Sequence, residues 1–197
     1  MGSELNVYPS DWSRDGRYLI YTADSGGPGG LDIWYLRRKP DGDGFEPVPF
    51  LEGRFNQQSG KLSPDGRFLA YCSDESGRFE VYVRPFPEGG GQLQMSPAGG
   101  CEPRWSHDGK ELFYVVGNTL MVAAVTTSAG FSAGAVVRLF QDAGLDVGLA
   151  LSRDRYDVSA DGKRFLTIEM LQNDEAKAPA IHIVQNWFEE FEDRQRD

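Results

Sequence analysis

The chain has 197 residues, of which 40% are apolar and 12% aromatic, so it can bury a core and is too apolar for a disordered segment. Its formal net charge of −10 disfavours a nucleic-acid partner, because phosphate binding depends on clustered lysine and arginine. No run of about 18 apolar residues occurs, so no membrane-spanning helix is predicted. The 24 glycines and 11 prolines indicate many turns and favour an all-β chain.

The first residues and the cysteines carry little functional signal. Residues 1–3 resemble an expression remnant, in which case the natural chain begins further upstream. Cys72 and Cys101 lack the close spacing of a metal-binding pair, and two thiols do not make a disulfide framework. We therefore expect both cysteines to be small, semi-buried side chains.

A short pattern recurs four times along the chain, at intervals of 50, 43 and 53 residues. Each copy contains Ser-x-Asp-Gly, a basic residue and an apolar run, and the copies begin at Ser13, Ser63, Ser106 and Ser159. Ser-x-Asp-Gly predicts a type I turn followed by a glycine with positive φ, which is a common hairpin loop. The predicted turn formers are Asp15, Gly16, Asp65, Gly66, Asp108, Gly109, Asp161 and Gly162.

Short extended segments surround each turn, and they are predicted to be strands. In the first unit they are Val7–Trp12, Leu19–Tyr21, Asp32–Leu36 and Val48–Leu51. In the second they are Gln57–Leu62, Leu69–Cys72, Glu80–Val83 and Leu93–Met95. In the third they are Glu102–Trp105, Leu112–Val116, Leu120–Val125 and Val136–Phe140. The fourth unit has only three, Arg155–Val158, Phe165–Ile168 and Ile181–Val184.

Each unit is therefore a four-stranded antiparallel meander, the size and shape of a propeller blade. A β-sandwich would not explain why one turn motif returns once in every four strands. We predict an all-β fold, a β-propeller segment whose last blade is incomplete. The predicted blades cover residues 4–55, 56–100, 101–154 and 155–188.

The end of the chain leaves the last blade without an outer strand. Trp187, Phe188 and Phe191 predict a short amphipathic helix, which runs into an acidic tail at residues 189–197. Because an unpaired strand edge is a liability, we expect upstream residues or a second copy to cover it, unless the edge stays open. A two-fold pair completing an eight-bladed ring would satisfy the edges symmetrically, so a homo-oligomer is expected.

The repeats resemble those of a known family. The W-S-x-D-G and S-P-D-G turns, followed by I-Y-V-like strands, resemble the WD-like propeller repeats of TolB. Segments Asn6–Gly16, Ser73–Pro87, Pro103–Tyr114 and Ile181–Trp187 resemble more closely the C-terminal propeller region of bacterial serine/threonine protein kinases. The resemblance covers almost the whole chain. It implies a sensing or binding region that follows a kinase domain, on either side of a membrane, and it names no ligand.

Motifs that could carry chemistry have simpler interpretations. The chain lacks the V-A-I-K, H-R-D and D-F-G motifs of a kinase. The glycine-rich stretch 26–30 does not match a phosphate-binding loop, and residues 41–46 lack the ligand spacing of a calcium loop. Both are predicted to be turns or loops, and no metal or cofactor is expected.

The segment G-F-S-A-G at 130–134 matches the nucleophile elbow of hydrolases. Ser132 is followed by Asp142 or Asp146 and then by His182, which is the expected order of a catalytic triad. However, the segment is followed by a β-branched run instead of a helix. We therefore predict a hairpin between two strands, and no enzyme activity in this chain.

A binding surface remains as the functional hypothesis. The first strand of each blade lines the channel of a propeller, and the loops that enter it form one rim. The polar and aromatic candidates there are Tyr8, Asp11, Arg54, Asn56, Gln57, Gln58, Glu102, Arg104, Arg155, Tyr156 and Asp157. The long loop Gln141–Asp154 is the best candidate for an adaptable recognition element.

The sequence therefore favours a non-catalytic binding or sensor module that belongs to a kinase and recognises a protein or a small ligand. One alternative is a structural unit that closes a propeller ring with another chain. Another is an interaction protein of the periplasm that resembles TolB. A small hydrolase that uses Ser132 is the least favoured hypothesis.

Overall fold

The structure is a computed structural model, and it describes residues 6–24, 29–145, 154–170 and 179–185. Regular structure in these residues is almost entirely β-strand, apart from a short 3₁₀ helix at Ala143–Leu145. Three sheets have four strands and one has three. Within the described residues no helix is long and apolar enough to cross a membrane. The prediction of an all-β propeller segment with an incomplete last blade is confirmed.

The strands follow one another along the chain, blade by blade. The first blade contains β1 (Asn6–Trp12), β2 (Tyr18–Asp24), β3 (Leu31–Arg38) and β4 (Phe45–Leu51). The second contains β5 (Gln57–Leu62), β6 (Phe68–Ser73), β7 (Glu80–Pro85) and β8 (Leu93–Gln94). The third contains β9 (Cys101–Trp105), β10 (Glu111–Val116), β11 (Thr119–Thr126) and β12 (Ser132–Gln141). The fourth contains β13 (Tyr156–Val158), β14 (Arg164–Met170) and β15 (Pro179–Gln185).

Each sheet is an antiparallel meander in chain order. Most observed strands extend beyond the predicted ones, because backbone pairing continues past the apolar run into polar residues. For example, the pairing of β3 with β4 begins at the pair Ile33–Leu51 and continues to the pair Arg38–Phe45. The predicted helix at 187–191 and the tail at 189–197 lie outside the described residues.

The four Ser-x-Asp-Gly segments form the same hairpin turn. In the second blade Ser63 Oγ donates to Asp65 Oδ1 (2.6 Å), and Gly66 N donates to Ser63 O (2.8 Å). Ser63 Oγ also accepts from Phe68 N (3.0 Å), and Asp65 Oδ1 accepts from Arg67 N (3.1 Å). The same four bonds recur in the other three turns. The glycines have φ of 70° or 72°, so a residue with a Cβ would be strained there.

Neighbouring blades are joined by apolar clusters in which alternate residues of one strand pack in opposite directions. In β10, Leu112 and Tyr114 pack towards the second blade, whereas Phe113 and Val115 pack towards the fourth. The ring of Phe113 lies edge-on to that of Phe165, with centroids 5.3 Å apart. Because both faces are covered, the strand reads as a continuous apolar run.

The fourth blade exposes the face on which a further blade would pack. Leu166 and Ile168 on β14 are equivalent in the repeat to Phe113 and Val115, yet they are 38% and 45% exposed. None of the three clusters formed by the described residues joins the fourth blade to the first.

The expectation for the cysteines was wrong. Cys72 on β6 and Cys101 on β9 form a buried disulfide, with their Cα atoms 5.3 Å apart. A sequence separation of 29 gives no hint of this pairing. It arises because β6 faces the third blade at Cys72, where β9 begins. The bridge therefore links the second and third blades covalently.

We expect loss of the disulfide to lower the free energy of unfolding by about 3 kcal/mol, because the bridge restricts the unfolded chain. Urea denaturation with and without dithiothreitol measures this difference. A Cys72→Ala/Cys101→Ala variant is the control and should not respond to the reductant. Identical midpoints for the untreated and the reduced protein would contradict the prediction.

Candidate functional site

The first strands of the blades converge on a cavity of about 300 Å³. It lies where these strands end and enter the Ser-x-Asp-Gly turns, and all four blades contribute to its lining. The walls combine charged groups with two indole rings, Trp12 and Trp105. A concave site with a few converging polar groups is the usual form of a ligand-binding pocket.

Four charged residues occupy equivalent positions around the cavity. Each stands two residues before the serine of its turn, and the four are Asp11, Lys61, Arg104 and Asp157. We call this set the charged ring. Because the blades repeat, the residue at this position of each blade lines the same cavity. The charge is negative on the first and fourth blades and positive on the second and third.

The two cations of the charged ring meet at one carboxylate. Lys61 Nζ lies 2.8 Å from Asp154 Oδ2, and Arg104 Nη2 lies 2.9 Å from the same oxygen. The side chain of Lys61 is only 8% exposed, whereas that of Asp154 is 43% exposed. An almost buried ammonium group needs such a partner, because burial without compensation is costly.

Further bonds hold the two cations in place. Lys61 Nζ also donates to the carbonyl of Ser10. Arg104 Nε donates to Tyr156 O (3.0 Å), and Arg104 Nη1 lies 3.5 Å from Asp157 Oδ1. Both cations therefore have partners besides Asp154, on the first and fourth blades.

Asp11 is the most enclosed carboxylate of the charged ring. Burial raises the pKa of Asp11. The N–H of Leu62 and the charge of Lys61 oppose that rise. Leu62 N donates to Asp11 Oδ2 at 2.7 Å. The bond to Leu62 joins the first strand of one blade to the first strand of the next. Asp11 thus fixes the wall of the cavity as well as contributing charge to it.

Two contacts close the cavity at the turns. Trp105 Nε1 donates to Lys61 O (3.0 Å), which sets the indole against the second blade. Arg14 Nη2 donates to His107 O (2.7 Å) and so connects the turn of the first blade with that of the third. Trp12 is 56% exposed, and its ring contacts Phe45 with centroids 6.2 Å apart.

Glu102 forms a separate polar centre at the junction of the third and fourth blades. Its Oε2 accepts from Arg155 N (3.1 Å), and its carbonyl accepts from Tyr156 OH (2.9 Å). Its φ of 54° is unusual for a residue with a side chain. Burial raises the pKa of Glu102 to about 7, opposed by the N–H of Arg155 and assisted by the charge of Asp154.

The structure brings only some of the predicted site residues together. Asp11, Arg104 and Asp157 line the cavity, whereas the other eight do not. Glu102, with Arg155 and Tyr156, forms the blade junction described above.

The remaining predicted site residues lie apart from the cavity. Asn56 is bonded to Asp74 through its backbone N–H (2.8 Å) and its amide group (2.6 Å). Arg54 lies over the ring of Phe55, at 4.8 Å from its centroid. Three others belong to first strands, namely Tyr8 on β1 and Gln57 and Gln58 on β5.

Two residues that matter at the site, Lys61 and Asp154, are not among the individually predicted site residues, although Asp154 ends the predicted recognition loop. The repeat itself contains the signal for Lys61, since aligning the four turns places it opposite Asp11, Arg104 and Asp157. For Asp154, which lies two residues before β13, the signal is its place at the end of the long predicted loop. Most of the predicted recognition loop Gln141–Asp154 lies outside the described residues.

The motifs that resembled catalytic or metal sites form ordinary turns and strands where they are described. The G-x-S-x-G segment leads directly into β12, which begins at Ser132, so no strand–turn–helix elbow is formed. Asp41 Oδ1 accepts from Asp43 N (3.0 Å) within a hairpin turn. Among the described residues no group of three or more metal-binding side chains occurs. The side chain of His182 and most of the stretch 26–30 lie outside the description.

Comparison with solved structures supports the β-propeller fold. TolB from Acinetobacter baumannii superimposes with a TM-score of 0.57 at 18% identity, covering 94% of this chain and 42% of that one. The fold is that of a TolB-like β-propeller. At such low identity the likeness shows the fold alone. The kinase context predicted from the repeats is not shown and stays a prediction.

Other proteins that this propeller resembles are named as enzymes. The chain is 33% identical over 88 residues to the uncharacterized peptidase YuxL of Bacillus subtilis, covering 43% of this chain and 13% of that protein. A puromycin-hydrolyzing peptidase from Mycobacterium tuberculosis gives a TM-score of 0.57 at 17% identity, covering 83% of this chain and 28% of that one. The periplasmic gluconolactonase PpgL of Pseudomonas aeruginosa superimposes with a TM-score of 0.52 at 18% identity. The match covers 91% of this chain and 57% of that one. No protein-family model matches the sequence.

The prediction that the chain is not an enzyme is wrong. The curated relative, 33% identical over 88 residues, is named as a peptidase, which contradicts that prediction. That prediction rests on the lack of catalytic motifs inside this chain. However, the chain spans only 13% of the curated relative and less than two thirds of each neighbour.

The raised pKa of Glu102 predicts a pH-dependent stability. Between its ordinary value of 4.5 and about 7 the folded state keeps a proton that the unfolded state has released. Stability should therefore fall as the pH rises through this window, by about 2 kcal/mol. Urea denaturation between pH 4.5 and 8 measures the fall.

The matched variants for this test are Glu102→Gln, which cannot ionise, and Glu52→Gln, which changes an exposed residue. We expect Glu102→Gln to remove most of the decrease and Glu52→Gln to leave it unchanged. A decrease of equal size in Glu102→Gln would mean that other groups cause it.

Proposed function

We propose that the chain is the propeller part of a peptidase-class enzyme and that the cavity at the charged ring receives a peptide substrate. The charged ring is the observation that carries this proposal. It places two carboxylates and two cations from four blades on the wall of one cavity. The identity to a protein named as a peptidase supports the enzyme class.

The chemistry of the cavity suits a peptide. A peptide carries hydrogen-bond donors and acceptors along its backbone and opposite charges at its ends. Asp11 and Asp157 can attract its positive groups, and Lys61 and Arg104 its negative ones. Trp12 and Trp105 offer flat apolar surfaces to its side chains. A volume of about 300 Å³ corresponds to one or two residues, so the cavity would take one end of the peptide.

Under this proposal the propeller selects the substrate, and the reacting groups lie elsewhere in a longer protein. The limited share of the named peptidases that the chain covers, 13% and 28%, supports such an arrangement. The nucleophile hypothesis at Ser132 finds no support, because this residue begins an exposed strand on the outer side of the third blade.

A second candidate is a sensor attached to a kinase, and it rests on the resemblance of the repeats, above all at Ser73–Pro87. In that setting the same cavity would bind a regulatory ligand.

The ring-closing role also stays a proposal, and the exposed Leu166 and Ile168 favour it. The molar mass in solution, measured by light scattering, tests whether a second copy covers that face.

Filling the cavity should weaken peptide binding. Ala160 lines the cavity at the variable position of its turn, so Ala160→Trp should block the space without disturbing the turn. We expect the variant to bind a tryptic digest of casein at least about tenfold more weakly than the unmodified chain. Saturation-transfer NMR and titration calorimetry measure the difference.

Ala129→Trp is the matched control, because Ala129 is exposed in a turn of the third blade that does not line the cavity. It should bind the digest as the unmodified chain does. Equal binding by both variants, or no binding by the unmodified chain, would exclude the cavity as a peptide site.

A further inference from the structure

Two cations from neighbouring blades point at a single oxygen atom. Lys61 on β5 and Arg104 on β9 approach Asp154 Oδ2 within 2.8 Å and 2.9 Å. Charge-assisted bonds of this length are stronger than neutral ones. The arrangement is therefore a site built to hold one carboxylate, and Asp154 occupies it.

The two cations are positioned without help from Asp154. Lys61 is almost buried and donates to the carbonyl of Ser10. Arg104 is held by Tyr156 O, and its guanidinium lies over the ring of Tyr156, at 5.8 Å from the centroid. If the carboxylate of Asp154 moved away, both groups would still face the same point. Such a preformed pair loses little entropy when it binds an anion.

Asp154 is held much less firmly than the cations. Its side chain is 43% exposed, and its described contacts are the two ion pairs through Oδ2. An exposed carboxylate regains water on leaving the site, whereas the buried ammonium of Lys61 does not. Exchange of Asp154 for another carboxylate therefore costs less than leaving the site empty.

Lys61 and Arg104 belong to the lining of the cavity, whereas Asp154 does not. We propose that they form a carboxylate subsite, in which the free carboxylate of a bound peptide displaces Asp154. This inference rests on the proposed function, because it specifies which end of the peptide enters the cavity. It makes the C-terminal carboxylate the recognised group and Asp154 an internal competitor.

The other charges around the subsite favour a ligand carboxylate that replaces Asp154 over one that binds beside it. Asp11 and Asp157 already balance much of the positive charge, so a second anion beside Asp154 would be repelled. Removing Asp154 should therefore strengthen the binding of a carboxylate ligand. It should not affect a neutral ligand of the same shape.

The test compares N-acetyl-L-phenylalanine with its C-terminal amide on the unmodified chain and on Asp154→Ala. We expect Asp154→Ala to bind the acid about tenfold more tightly, because the competing internal carboxylate is gone. The affinity for the amide should stay the same. Titration calorimetry gives the dissociation constants, and the rise in melting temperature with added acid gives a second readout.

Three variants complete the design. Asp43→Ala removes one exposed carboxylate from a distant turn and controls for net charge. Asp154→Ala/Arg104→Gln removes one cation and should lose the gained affinity for the acid. Asp154→Asn replaces Asp154→Ala if the latter does not fold, since it keeps a neutral acceptor beside Lys61.

The outcomes separate this inference from the proposed function. The carboxylate subsite is excluded if Asp154→Ala or Asp154→Asn does not bind the acid more tightly than the unmodified chain does. It is also excluded if the affinity for the amide rises by the same factor. If the unmodified chain still binds the casein digest and Ala160→Trp does not, the peptide cavity survives that result. If no variant binds the digest, the acid or the amide, both proposals fail.

Discussion

The structure depends on the burial of β6 and β10, the second strands of the two middle blades, on both of their faces. Neighbouring residues of β10, such as Leu112 and Phe113, pack into two different clusters, one shared with the second blade and one with the fourth. Period-two alternation in a strand makes this possible, since successive side chains point to opposite faces of the sheet. Blade therefore follows blade, and the first strands are brought together on one side.

The cavity is a consequence of this packing. Because each blade presents its first strand at the same wall, one position of the repeat becomes a ring of four side chains, and these happen to carry both signs of charge. The burial of Lys61 within this wall requires an anionic partner, which Asp154 supplies. The same requirement creates a place where a ligand carboxylate can substitute for a protein one.

The fold could be predicted from the sequence because its signals are local and repeated. Ser63, Asp65 and Gly66 form their turn with bonds that span only a few residues, and the apolar runs follow directly. The site could be predicted only in part. The polar character of Asp11, Arg104 and Asp157 in first strands predicts their place at the cavity. Lys61 occupies the same position in the repeat but is not among the predicted site residues. Glu102 and Tyr156 are also polar or aromatic residues near the first strands. However, they lie at the junction of the third and fourth blades and not at the cavity.

The sequence by itself determined the turns, the strands and their order, because these follow from short-range hydrogen bonding and from the alternation of apolar residues. Only the tertiary structure decided which distant residues meet. Cys72 reaches Cys101, and Asp154 reaches Lys61, because blades pack side by side at distances that spacing along the chain does not encode. The disulfide and the occupied carboxylate site are thus properties of the packed blades, and no single repeat contains either of them.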